Sequence, residues 1–174
     1  MLALARATLT AHLSGTRLEV VAGPAPGGAN PRGAFVTVTV SGDLRGCVGR
    51  VQSSRPLADL VRELVIAAAR DDERFAPITT EELATVRIEI SVLSEPVPLH
   101  PVAAERITVG RDGLLVRRGR ASALLLPQVA PEHGWGAEVF LQATCRKAGL
   151  AADAWRDAAT EVFTFQAEVF GEDG

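Results

Sequence analysis

Val36, Val38 and Val40 alternate with Phe35, Thr37 and Thr39 in a β-branched run, the period-two pattern of a half-buried strand. Ser41-Gly42-Asp43 is turn chemistry, and Leu44 to Val51 returns antiparallel to complete a hairpin. A second alternating run, Val86 to Leu93, points Val86, Ile88, Ile90 and Val92 one way and Arg87, Glu89 and Ser91 the other. Helical spacing takes over elsewhere. Leu2, Leu9 and Leu13 share a face before Gly15, and Leu57, Leu60, Val61, Leu64 and Val65 run from Pro56 to about Arg70. A third helix is predicted from Ala137 to Ala148, stopped by Gly149, and a short one near Pro127 to His133.

Between these lie weaker signals. Leu18 to Val21 reads as a short strand and Ala22 to Gly33 as a Gly/Pro-rich loop. Asp71 to Pro77 is a charged loop, and Thr79 with Glu82 forms a capping box for a short helical turn. Ser94 to Pro101 carries three prolines and reads as an extended crossing. Short strands are predicted at Ile107 to Val109, Leu114 to Arg118 and Ala121 to Leu126. A final one, Thr160 to Phe170, places Phe163, Phe165, Ala167 and Val169 on one face.

The hairpin contains the hexapeptide Leu44-Arg45-Gly46-Cys47-Val48-Gly49, and parity decides what its cysteine faces. A two-residue loop would set Val38 against Cys47 and put Arg45 on the apolar face. A three-residue loop would set Thr39 and Thr37 against Arg45 and Cys47. Burying an unpaired guanidinium is expensive, so the three-residue loop is expected.

Composition narrows the function classes. The chain has 174 residues, 47% hydrophobic and 22% charged, with a formal net charge of -3, which suits one soluble domain with a single substantial core and gives no basic tail for nucleic acid. Arg6, Thr8, Thr10 and His12 interrupt the leucines of residues 2–13, unlike a signal peptide. No run reaches the roughly 18 apolar residues of a membrane span, so a cytoplasmic protein is expected. Two cysteines, Cys47 and Cys145, make neither a disulfide framework nor the three clustered thiolates of a radical iron–sulfur site. His12, His100 and His133 are scattered, and no metal or cofactor site is expected. Lys147 is the only lysine in a chain otherwise served by arginine.

Several motifs occur together in one order. They are the hexapeptide, Arg55-Pro56-Leu57, Asp72-Glu73-Arg74-Phe75 with Pro77, Glu89-Ile90-Ser91-Val92-Leu93 and Gly110 to Gly113. Leu126-Pro127-Gln128-Val129-Ala130, Gly134-Trp135 and Lys147-Ala148-Gly149-Leu150 follow. With them the chain resembles the AMMECR domain family, that of the human AMMECR chromosomal-region protein and its microbial homologues. It departs at Val48, where isoleucine is usual, and in the Gly/Pro-rich insertion before Phe35. The resemblance implies an α+β fold with antiparallel sheets and packed helices, a single domain over residues 1–174. Its larger lobe would comprise about residues 1–94 plus 127–174 and its smaller lobe about 95–126, with a ligand cleft centred on the hexapeptide. It also implies radical-SAM and Memo-type partner proteins, and a role with them in nucleotide or RNA modification.

Three readings of the site follow. In the first, Cys47 is a nucleophile or thiol carrier, Arg45 the cation that favours its thiolate, and Glu89 a general base; against it, a small cysteine also suits tight packing. In the second, Arg45 with the amides of Gly46 and Gly49 holds a phosphate or carboxylate, helped by Arg74, Ser91 and Lys147. Arg74 pairing structurally with Asp72 or Glu89 is the competing expectation. In the third, the chain is a non-enzymatic binding or scaffold module, with Trp135 and Trp155 as interface anchors or core residues.

Overall fold

The computed structural model describes residues 1–16 and 33–172; the strand expected at Leu18 to Val21 and all but the last residue of the Gly/Pro-rich loop lie outside them. The chain is α+β and divides into two units, Met1–Val92 with Glu168–Gly174, and Leu93–Ala167. The expected lobes differ at one segment. Residues 127–167 group with the middle of the chain rather than with its ends.

In the first unit, α1 (Leu2–Leu13) and α2 (Leu57–Arg70) pack on a four-stranded sheet built from β1 (Ala34–Val40), β2 (Asp43–Arg50), β3 (Val86–Leu93) and β8 (Ala167–Gly171). The order is β2-β1-β3-β8, so the hexapeptide lies on an edge strand. Alternation explains the burial. Val36, Val38, Val86, Ile88 and Ile90 meet Leu60, Val61, Leu64 and Val65 of α2 in one core, each fully buried side chain of this kind contributing about 1.5–3 kcal/mol. Arg6 of α1 donates to Glu172 and, at 2.8 Å, to the Val86 carbonyl. Glu172 in turn accepts the Ile88 N–H at 2.9 Å, which ties helix and strands together.

In the second unit, β4 (Val97–Pro98), β5 (Gly113–Arg118), β6 (Ala121–Leu125) and β7 (Glu161–Phe165) form a sheet ordered β4-β7-β5-β6, packed by the short α3 (Val129–Glu132) and by α4 (Ala137–Lys147). Gly149 takes the left-handed conformation after α4, with φ +75°, as a C′ glycine should. Two expectations fail here. Residues 107–109 are not a strand but follow a 3₁₀ turn at Ala104–Arg106. The single final strand is two: β7 and β8 belong to different sheets, broken at Gln166, whose N–H donates to Ser94 Oγ at 2.9 Å while Ser94 N–H donates back to its carbonyl at 2.8 Å.

The hairpin closes differently from expectation yet reaches the same face for its cysteine. Val40 opposes Asp43, so the loop is the two residues Ser41 and Gly42, both with positive φ (52° and 91°), as a primed hairpin turn requires. The register then shifts between Val38 and Thr39, leaving Arg45 as an extra residue in a β-bulge. Parity is restored by that insertion. Thr37 opposes Cys47 as expected, while Thr39 opposes Leu44 rather than Arg45.

Candidate functional site

Thr37 links two candidate residues, because it pairs with Cys47 on one side and with Glu89 on the other. The three side chains therefore stand in one row across β2, β1 and β3, on the face opposite the core. The Thr37 hydroxyl donates to Cys47 Sγ at 3.4 Å, which orients the half-buried thiol. Glu89 lies two strand spacings from Cys47, about 10 Å between backbones. The two side chains share no hydrogen bond, and the register places Glu89 to act on a group lying over Thr37. The neighbouring row is Gly49, Phe35 and Ser91, with Ser91 buried.

A second hydrogen bond fixes the cysteine from the sheet edge. Its backbone N–H donates to Asp72 Oδ2 at 2.9 Å, so a carboxylate from the loop after α2 caps the outward amide that an edge strand leaves unpaired. Asp72 also accepts from Arg74 Nε (2.8 Å) and Nη2 (2.6 Å). The Arg74 bonds, with the Cys47 and Arg74 amides behind them, hold the Asp72 carboxyl far below the usual carboxylate range in spite of its burial. The Arg74 guanidinium is in turn pushed up, first by its hydrogen bond to Asp72, and because Asp72 Oδ2 accepts from both Arg74 and the Cys47 amide, the guanidinium is held beside the cysteine. It lies 5.2 Å from the centroid of the Phe75 ring.

Arg45, expected to be the cation beside the thiol, is engaged elsewhere. The bulge sends its guanidinium to Glu82, with a further bond to the Ala76 carbonyl at 3.2 Å. Glu82 also accepts the Thr79 N–H at 2.9 Å, completing the half of the capping box that reaches back, and both bonds hold its carboxyl low. The cation next to Cys47 is thus Arg74, and the carboxylate that organises the site is Asp72. Asp72 was visible in the sequence only as a partner for Arg74. Its bond to an amide 25 residues away has no sequence signal.

The two motif glycines have structural duties. A Cβ on Gly46 would come 1.8 Å from the Ala68 carbonyl oxygen, so α2 can approach β2 only over glycine. A Cβ on Gly49 would lie 2.2 Å from the Phe35 ring, which covers that position. Lys147 is exposed in the last turn of α4, in the other unit, and does not belong to the row. Trp155 is buried in the core of the second unit, and Trp135 packs against that core with its ring 4.5 Å from that of His133. Among the described residues, no three His, Cys, Asp or Glu side chains converge as metal ligands would.

The AMMECR1 family model matches residues 2–170, nearly the whole chain and all the motifs quoted above. The chain belongs to the AMMECR1 family. A protein of Methanothermobacter thermautotrophicus is 50% identical over 147 residues, 82% of this chain and 77% of its own length. One from Methanosarcina barkeri is 41% identical over 97% of this chain and 87% of its own. The crystal structure of the uncharacterized protein PH0010 from Pyrococcus horikoshii superposes with a TM-score of 0.89 at 39% identity, covering 99% of this chain and 89% of that one. The α+β architecture with its edge hairpin is therefore the AMMECR1 fold. Within the described residues, no helix is long and apolar enough to cross a membrane.

Proposed function

We propose that this AMMECR1-family chain presents the Cys47 thiol to a nucleotide or RNA substrate in a cytoplasmic modification reaction, working with radical-SAM and Memo-type partners. The observation that carries the thiol reading is the double hold on Cys47, Thr37 on its sulfur and Asp72 on its amide, with the Arg74 charge nearby. A packing cysteine needs no such hold. Partners and substrate class rest on the motif resemblance. They are consistent with a chain whose two cysteines are too few for a radical cluster of its own. In this reading Cys47 is the nucleophile or carrier, Arg74 supports its thiolate, and Glu89 acts on the substrate lying over Thr37.

Mixing the protein with purified radical-SAM and Memo-type proteins from the same genome tests the reading by native mass spectrometry and by analysis of modified nucleosides. A complex is expected with wild type and with Cys47→Ser, and product with wild type only. Absence of any complex overturns the partner assignment, and full product from Cys47→Ser overturns the role of the thiol. A second reading, a binding or scaffold module, is favoured by the fact that Arg45 and Arg74 both already have carboxylate partners. It requires that Cys47→Ser leave every activity of the complex intact.

A further inference from the structure

The second unit holds a groove of about 320 Å³ between the β4–β7 edge and the turns on either side of Ile107. That volume is at the small end of the range for small-molecule sites. Arg106 and Arg111 reach it from two separate turns, and Ser94 and Gln166 add polar groups. The two arginines differ in how they are satisfied. Arg111 lies in a bidentate pair with the buried Asp112, at 2.9 and 3.0 Å, and Asp112 is further anchored by the Thr108 N–H at 2.8 Å. Burial would raise the Asp112 carboxyl, but these donors outweigh it and keep the group ionised. Arg106 instead donates from one nitrogen, Nη1, to the carbonyls of His100 and Pro101, and among the described residues it forms no ion pair. The lining thus carries one positive charge in excess. The same groove is lined by Val97, whose side chain is 61% exposed.

An uncompensated guanidinium next to an exposed aliphatic side chain is the chemistry of an amphiphilic anion site. We infer that this groove binds a small organic monoanion, its carboxylate or equivalent head on Arg106 and its apolar body against Val97. Asp112 disfavours dianions, since a second negative charge would lie near a fixed carboxylate. Arg111, already neutralised, shapes the groove rather than supplying its charge. This site is lined by residues of the second unit alone and shares none with the Cys47 row, so its failure leaves the thiol reading untouched.

Nuclear magnetic resonance titration of the ¹⁵N-labelled chain with hexanoate tests the inference, with hexan-1-ol and inorganic phosphate as probes lacking the head and the body. Hexanoate is expected to shift the amides of Ser94, Glu95, Val97, Leu99 and residues 164–166 saturably and to bind at least about tenfold tighter than either control, the worth of one charge-assisted hydrogen bond. Arg106→Gln should weaken hexanoate by a similar factor. Because Arg106 also braces the His100–Pro101 turn, Val97→Glu provides a second test: it adds a negative charge at an exposed position, removes no hydrogen bond, and should weaken hexanoate while the spectrum stays native. Hexan-1-ol binding as well as hexanoate, phosphate doing so, absence of saturable shifts at these amides, or Val97→Glu binding like wild type would each overturn the proposal.

Discussion

Cys47 and Cys145 are the same side chain placed in opposite settings. Cys145 is fully buried in α4, where desolvation pushes its thiol up and outweighs the Trp155 backbone N–H that favours the thiolate. Cys47 stands half-buried on an edge strand, with a hydroxyl donating to its sulfur, a carboxylate fixing its amide and a guanidinium nearby. The first setting makes a cysteine into a small hydrophobe; the second holds the sulfur by Thr37 and the amide by Asp72, which Arg74 braces. Such polar investment is what separates a residue that packs from one that is presented.

The sharpest way to break that contrast is alkylation of the native protein. Cys145 can react only when the second unit opens, so iodoacetamide should modify Cys47 about 10³-fold faster or more, as expected for an opening free energy of several kcal/mol. Peptide mass spectrometry over a time course measures both sites at once. Comparable rates would mean that Cys47 is as protected as a core residue, and the presented-thiol model would fall.

Next in size is the backbone beneath the site. Gly46→Ala pushes a Cβ into the Ala68 carbonyl, and neither partner is a flexible side chain. A loss of about 3–5 kcal/mol is expected, read as a lower urea midpoint. Gly42→Ala in the turn meets no neighbour and should cost only about 1 kcal/mol for its positive φ. If the two variants were equally stable, the motif glycine would owe its place to something other than the approach of α2.

Much of the hairpin was legible in the sequence, and the misreadings have physical causes. The valine alternation and the cost of burying a guanidinium were enough to put Cys47 opposite Thr37, because both follow from pattern and desolvation. The route differs from the expected one: a Ser-Gly turn and a bulge at Arg45 give the same parity as a three-residue loop for every residue beyond the bulge. Where Arg45 and Asp72 point depends on the path of the loop after α2. That is a tertiary outcome with no periodicity to announce it. The break between β7 and β8 was hidden for a related reason, since both halves are apolar at period two and Gln166 between them looks like one more outward residue. Motif order, by contrast, carried the family across the whole chain.

Asp72 offers a test of intermediate size. Asp72→Ala strands the Cys47 N–H and frees Arg74, and about 2 kcal/mol of stability should go with it. The sign of the pH dependence follows from its lowered pKa. A carboxyl whose folded pKa lies below its ordinary value of 3.8 contributes fully above that value and loses its contribution as pH falls through and below it. Wild type should therefore lose stability on acidification below about pH 4 more steeply than Asp72→Ala, in urea titrations at matched pH. Parallel acid limbs would show that Asp72 does not bind its partners as a carboxylate.

The smallest effect expected is the one that decides which arginine serves the thiol. Arg74 is more than half exposed, so solvent and salt screen its field, and its influence on the reaction at Cys47 should be a matter of a few-fold. In a Cys145→Ala background at fixed neutral pH and low salt, Arg74→Ala should slow alkylation of Cys47 about three- to tenfold. Arg45→Ala should leave the rate unchanged, because the bulge directs the Arg45 guanidinium to Glu82 and the Ala76 carbonyl, whereas Arg74 sits on the carboxylate that holds the Cys47 amide. Raising the salt should shrink the Arg74 effect and leave Arg45→Ala flat. Arg45→Ala will lower stability slightly through its link to the capping turn, so each rate is compared on protein shown to be fully folded. A slower reaction in Arg45→Ala with none in Arg74→Ala would return the electrostatic role to the hexapeptide's own arginine, and with it the simpler picture in which the motif carries its whole site.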